Sequence, residues 1–529
     1  MLKYFFFLIL SVFLCTSCGR EEGHSFGKKE TQILWINFTY SPFTADPRKS
    51  SDPVTTVTSY ILYEGLTSLE PDGTVKPALA EKIKISHDRK KIIFTLKKSM
   101  WSDGSPLTAY HFEAAWKKVL NPNFPVRTAS LLYPIKNGER AKKGECPLDE
   151  VGVEAIDEQT LLVHLERPTP YFLELTAYPT YFPVPYHGDE VPHPHQKSVL
   201  LSNGPFMLTS WRDGDEIVAV KNPYYWNAEE VKLDEIHASI IADEGTALKL
   251  FDQGKLDYVG GLISPLPLDA VATLKRGALL RHRPIAGTTL CSFNIKHFPF
   301  NNIHIRKAFA YAINRKIITE NISQMFDDIA SGPVPSILKE TAQTFFEDYN
   351  EEAAKHHFEL GLQELGITKE EFPVITYSYF NSELQKNLAI TLQSYWNNTL
   401  GITVQLEGNE IKSHLNKLHH HQYHFGQMSW IGQYHDQMNF LERFISKDAY
   451  CNYGEWENPH YSRLLVDSFY LENGKRRAIL SEAEELLMEE MPIIPLYHFH
   501  AVYLKNPNLK GLAVSPMGDV RFHRAYFDK

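Results

Sequence analysis

Cysteine is nearly absent: five residues in 529, two of them, Cys15 and Cys18, within the first twenty. The remaining Cys146, Cys291 and Cys451 are too few and too scattered for a disulfide framework, so stability must come from buried cores. The single C-x-x-C lies inside an N-terminal leader, which removes it from consideration as a redox or zinc motif. Long apolar runs are also missing beyond that leader. No segment approaches ~20 apolar residues, so nothing further spans a bilayer. Positive charge is in deficit, with 54 Lys and Arg against 64 Asp and Glu, a net charge of −10. That balance argues against nucleic acid as a partner, because phosphate binding needs clustered cations. Catalytic signatures are missing as well. The chain has no G-x-S-x-G, no H-E-x-x-H, no G-x-G-x-x-G, and only a lone Gly474-Lys475 in place of a Walker A loop. The expectation is a non-enzyme without a cofactor. An envelope enzyme or adhesive surface protein is the alternative from another class, and peptide-library hydrolysis would reveal the enzyme.

What is present begins with "MLKYFFFLILSVFLCTSCGREEG". One Lys precedes an apolar run over 5–15 broken only by Ser11, a charged n-region and a short h-region. Leu14-Cys15-Thr16-Ser17-Cys18 resembles a bacterial lipobox, with Cys18 as the acylated first residue of the mature chain. Cys15 is an unusual occupant of its position, and an ordinary signal peptide is the alternative. Both readings export the protein. Residues 1–17 are then signal peptide and 18–34 a tether, polar and Gly-containing over 19–31. A lipid on Cys18 would hold the chain at a membrane surface of the bacterial cell envelope, periplasmic or surface-exposed.

The length suggests two to four domains. Aromatic residues make up 12%, which suits either ligand contact by stacking or a large core with tyrosines at its seams. Strand patterns alternate with helical ones, arguing α/β domains with mixed sheets. "ILWINF" reads as a buried strand, and a short helical pattern ends at Glu64-Gly65. Residues 92–96 alternate as a strand, Asp103-Gly104 makes a turn, and Thr108 caps a helix with Phe112, Ala115, Trp116 and Val119 on one face. "TLLVHLERPTPYFLEL" is strand, turn, helix. "NGPFMLTSW" and "EIVAVKNPYYWN" are strands joined at 212–215. A helix ended by Gly254 precedes "LDYVGGL". "IRKAFAYAINRKII" predicts one amphipathic helix with Ile305, Phe309, Ala312, Ile313 and Ile317 on its buried face. "PVITYSYF" and "ITVQLEG" bracket a helix over 382–399.

"SHLNKLHHHQYH" gathers His414, His419, His420, His421 and His424. His420 and His424 would share a helix face at a metal-ligand spacing. No Cys or close carboxylate completes a site, so solvated loop or helix-end histidines are the expectation and no metal site is assigned. His193 and His195 sit in a Pro-rich loop and are weaker still.

"GQMSWIGQYHDQMNFL" (426–441) reads as a strand end, a tryptophan and a small-residue turn around Gly432, the wall of a pocket. Several landmarks fall in order around it: "LYEGLTSLEPDGTVKPALAEKIKISHDRKKIIFTLKKSMWSDGSPLTAYHFEAAWKKVLNP", "NGPFMLTSW…KNPYYW", "FNIKHFPFNNIHIRKAFAYAINR" and "PIIPLYHF". Over about residues 35 to 520 the chain resembles the extracellular solute-binding proteins of peptide ABC importers, solute-binding family 5, in their oligopeptide-binding branch. The resemblance implies an α/β protein of two lobes hinged by two crossing segments, with an extra inserted α/β domain. Lobe I would comprise 30–63, 199–287 and 501–529, the inserted domain 64–198, and lobe II 288–500. It implies an oligopeptide ligand held as an added strand in a closing cleft, the importer's membrane subunits as partners, and a monomer.

The resemblance also places residues. Trp430 would line the pocket. The aspartate that holds the peptide's amino group falls on Gln433, and an arginine three residues before the tryptophan falls on Gln427. A further arginine falls on Leu418, beside Lys417. An acidic residue of the first lobe falls on Ser51, next to Asp52. Tyrosines fall on Tyr133 and Phe499, and a glutamate on Ser292, next to Cys291. The scaffold is kept while most charged clamps are gone. A charge-assisted bond is worth about 1.5–3 kcal/mol against about 0.5–1.5 for a neutral one, so the loss matters. Asp436 or Asp52 could supply the missing carboxylate, the ligand terminus could sit in water, or the ligand could be capped. The alternative ligands on this fold are a cell-wall muropeptide and a nickel or other metal complex.

Overall fold

The computed structural model describes residues 31–185, 191–194, 200–341, 343–449 and 451–528. The signal peptide, Cys18, most of the tether and His195 lie outside the described residues.

Hydrophobic alternation builds one mixed sheet of eleven strands. In spatial order it holds Phe206–Arg212, Glu216–Lys221, Glu235–Ile240, Ile33–Phe38, Tyr258–Gly260, Ile493–Lys505, Leu280–Phe293, Phe425–Ile431, Ile375–Phe380 and Val404–Asn409. Asp328–Ile329 adds to Ile493–Lys505 off this path. The two longest strands, Leu280–Phe293 and Ile493–Lys505, pair antiparallel and connect the halves. Their ladder shifts register twice, narrowly at Thr289/Leu290, where Leu496 is skipped, and more widely before Thr288. Pro284 pairs with His500 and Thr288 with His498, so 285–287 bulge out of register. The bulge leaves the backbone of Ala286 free for other partners, and it takes two. Ala286 N donates to Pro516 O, and Gly432 N donates to Ala286 O, each at 2.7 Å.

A separate four-stranded antiparallel sheet holds Ala80–Ile85, Lys91–Leu96, Thr160–His164 and Val153–Asp157. The helix Ala109–Val119 covers it and buries Phe112, Ala115, Trp116 and Val119. Thr108 starts that helix, with its N–H donated to His111 Nδ1 at 3.1 Å. Across the second half of the large sheet the core centres on Phe425. The rings of Phe293, Phe300, Phe309, Tyr377 and Trp396 surround it with centroids 4.9–5.8 Å away. Such pairs add about 0.5–1.5 kcal/mol each beyond their burial.

Two expectations fail locally. The helix predicted through Ile317 ends at Tyr311, and a new turn starts at Arg315 because the Asn314 side chain accepts from Ile317 N at 3.0 Å. Ile317 is consequently exposed rather than buried. The helix Ile411–His419 stops at His420, and His421 adopts a positive φ of 54°. His420 and His424 therefore share no helix face. Among the described residues no group of three or more His, Cys, Asp or Glu is arranged to hold a metal ion.

Candidate functional site

The strand Phe425–Ile431 lies antiparallel to Leu280–Phe293, with Thr288 opposite Trp430, Thr289 opposite Ser429 and Cys291 opposite Gln427. Side chains alternate between faces, so Gln427, Ser429, Thr289 and Cys291 share one face while Trp430 takes the other. Trp430 is half-buried. Its indole N–H donates to Asn439 Oδ1 at 2.9 Å, and the Arg443 guanidinium lies 3.4 Å from the ring centroid. Arg443 is itself 6% exposed, with Nε and Nη2 unpartnered, so Trp430 is held between an amide and a buried cation.

Gln427 and Cys291 are 1% and 0% exposed and offer no atom to solvent. Gln427 Nε2 donates to Ser429 Oγ, which bonds Thr289 Oγ1, both at 2.9 Å. Gln427 Oε1 has no partner. The Cys291 thiol sits 3.5 Å from Tyr377 Oη, and burial pushes it up to about 12. A neutral amide and a thiol thus face each other where the resemblance would put an arginine and, one residue along, a glutamate. Leu418 is fully buried, and Lys417 is paired with Glu407.

Gly432 turns the chain away from the sheet. A Cβ there would lie 3.1 Å from Met517 Sδ and 3.3 Å from Ala286 Cβ, so any larger residue must displace one of them. The turn delivers Gln433 to a corner shared with Thr56, Tyr178 and Asp519. The Tyr178 phenol lies beside the side chains of Gln433 and Thr56. Burial pushes the Tyr178 phenol up, and the carboxylates of Asp519 and Asp52 push it further. Asp519 is 7% exposed, and burial raises it to about 6 against the pull of Arg521 and Ser515. Asp52 caps the helix Pro53–Leu62. Its Oδ1 accepts from Thr55 N at 3.0 Å and Tyr40 Oη at 3.1 Å, while its Oδ2 is buried with no partner.

Asp436 is placed differently. Arg476 Nη1 and Nη2 each donate to one of its oxygens at 2.7 Å, so the carboxylate is already neutralised. Ser51 is exposed beside Asp52. Phe499 lies on the second crossing strand, against Gly287. Tyr133 ends the short helix Ala129–Leu132, half-buried, with its phenol raised by burial. Tyr178, Asp519 and Arg443 were invisible to sequence reasoning, since no local pattern announces a meeting of residues 56, 178, 433 and 519.

Residues 74–451 match the bacterial extracellular solute-binding proteins, family 5 middle region. The chain belongs to this family. It is 36% identical to the oligopeptide-binding protein OppA of Bacillus subtilis, with 98% of each chain covered. It is 27% identical to the periplasmic murein peptide-binding protein MppA of Escherichia coli, covering 98% of this chain and 97% of that one. Among solved structures, Haemophilus influenzae OppA in complex with RPPGFSPFR superposes with a TM-score of 0.80 at 26% identity, covering 95% of this chain and all of that one. The Escherichia coli murein tripeptide-binding protein MppA gives 0.83 at 26% identity, covering 95% and 99%. This solute-binding protein is therefore two-lobed, with the strands Leu280–Phe293 and Ile493–Lys505 passing between the lobes. No helix among its described residues is long and apolar enough to cross a membrane.

Proposed function

We propose that this chain is the substrate-binding component of an ABC importer, capturing oligopeptides in the cleft that closes between its lobes and delivering them to the membrane permease. The observation that carries this reading is full-length likeness, in sequence and fold, to oligopeptide- and dipeptide-binding proteins. Cys18 carries the lipid anchor at the cell envelope, and the protein acts as a monomer. The limits 30–63, 199–287 and 501–529, then 64–198, then 288–500 divide it into lobe I, inserted domain and lobe II.

Within the cleft, Trp430, Phe499 and Tyr133 are the walls and Ser51 the rim, while Gly432 gives the backbone close approach. Gln427 and Cys291 lie behind the wall and keep it neutral. The ligand's amino group sits by Gln433, and Asp52 supplies its carboxylate. Asp436 is excluded from that role because Arg476 occupies both its oxygens. Asp52 keeps one oxygen unpartnered, and the corner around Tyr178 holds two carboxylates, Asp52 and Asp519, against Arg521. An ammonium there relieves the imbalance.

A murein peptide is the second reading, favoured by the neutral Gln427 and Gln433 and by the likeness to MppA. Protein purified from cells, denatured and analysed by mass spectrometry, should release a heterogeneous set of short peptides. A uniform set of cell-wall peptides favours the second reading. No bound small molecule, with no change in Tm on adding oligopeptides, overturns both.

A further inference from the structure

The inserted domain and the second lobe also meet at a seam beside the cleft. Tyr171 stacks on Tyr434 with centroids 4.4 Å apart and planes 12° apart. Glu174, on the one-turn helix Phe172–Leu175, faces the backbone N–H of His435 across the seam. Its Oε2 is buried with no partner. Arg476 is the cation whose charge acts on Glu174; both of its Nη atoms are spent on Asp436, and its Nε is buried with no partner. Two carboxyls thus share one guanidinium, and the geometry gives it to Asp436.

We propose that closing this seam takes up a proton on Glu174, so that ligand capture is coupled to pH through an acid the ligand never touches.

Opened to water, Glu174 is an ordinary carboxyl and ionised near neutrality. Closed, burial raises it well above that range and Asp436 raises it further, against the weaker pull of Arg476 and the His435 N–H. A carboxylate buried without a cation is costly, and a proton removes the charge. The other groups at the seam do not supply one. Burial lowers His435, which disfavours a positive charge there. Arg89 is paired with Glu472, and Arg167 lies over Phe469. Glu442, raised to about 7 by burial, faces Tyr434, Arg443, Asp436 and Arg167 and is the second acid to control for. A cavity of about 340 Å³ lined by Asp436 and Arg476 opens beside the seam and gives solvent a route to the pair.

The sign follows from the raised closed-state value. Below the ordinary carboxyl range closure moves no proton. Above it closure takes one up, and capture weakens with rising pH until the closed-state value is passed, by up to about tenfold per pH unit. The affinity arm of the test rests on the peptide reading; the scattering arm does not. In the first arm, trialanine is titrated calorimetrically between pH 5.5 and 7 in buffers of different ionisation enthalpy. Wild type should take up close to one proton on binding, with Kd rising with pH. Glu174→Gln should lose most of that uptake and flatten the pH dependence of Kd, the remainder belonging to Glu442 and Asp519, while Glu442→Gln keeps most of it. Asp436→Asn, which frees Arg476 for Glu174, should also diminish it. Wild-type uptake near zero, or most of the uptake retained in Glu174→Gln, overturns the proposal. In the second arm, small-angle scattering of the ligand-free protein should give a radius of gyration that grows from pH 5.5 to 7.5 in wild type and not in Glu174→Gln. If trialanine fails to bind at any pH, the peptide reading loses support and the scattering still decides. A wild-type radius that does not change with pH then overturns the seam proposal.

Discussion

Asp52 holds two positions at once. One oxygen caps a helix and the other has no partner. Asn caps about as well as Asp, so Asp52→Asn removes the charge and spares the cap. We expect a free-amino oligopeptide to bind about tenfold more weakly to that variant, an N-acetylated analogue to bind equally well, and Tm to move little; calorimetry and a thermal melt check all three. Gln433→Asp should do the reverse, tightening free-amino peptides about tenfold by exchanging a neutral acceptor for a charged one. Unchanged affinity there, with Asp436→Asn abolishing binding, would move the amino-group seat by one turn. Gln427 and Gln433 could be located from the sequence because Trp430 is a landmark three residues from each. The pairing of Asp436 could not, since its partner Arg476 stands 40 residues on and only folding joins them.

At the scale of elements, strands and caps were legible wherever one face is buried against a single neighbour. Ile33–Phe38, Lys91–Leu96, Ala109–Val119 and Ile375–Phe380 follow their hydrophobic periods. The segment after Ile303 did not, because Asn314 offers the backbone a competing hydrogen bond that periodicity cannot register. Buried charge is equally hidden from pattern reading. Lys339 Nζ and Glu484 Oε2 lie 2.6 Å apart with side chains 7% and 0% exposed, and Glu484 also accepts from Val334 N at 3.1 Å. Burial raises the Glu484 carboxyl, and Lys339 counters it. Breaking such a pair strands a charge. Glu484→Gln should destabilise the protein by about 3–5 kcal/mol, measured by urea unfolding. A loss below about 1 kcal/mol would mean that Lys339 finds solvent or another partner.

For the molecule as a whole, the two-lobed architecture was legible from ordered landmarks along the chain, and the places where bodies touch were not. The corner at Tyr178 and the seam at Glu174 each join segments hundreds of residues apart in sequence. The bulge at 285–287 has a mechanical meaning in this setting. It is the wider of the two register breaks between the crossing strands, and the backbone of Ala286 is tied instead to Gly432, next to Gln433, and to Pro516. With the ligand seated by Gln433 as proposed, the Gly432–Ala286 hydrogen bond would tie that seat to the break in the crossing strands, so a pull on Gln433 would reach the break without crossing either lobe. Hydrogen exchange should report it: ligand should slow the Ala286 and Gly432 amides together, and replacing Gly432 should uncouple them.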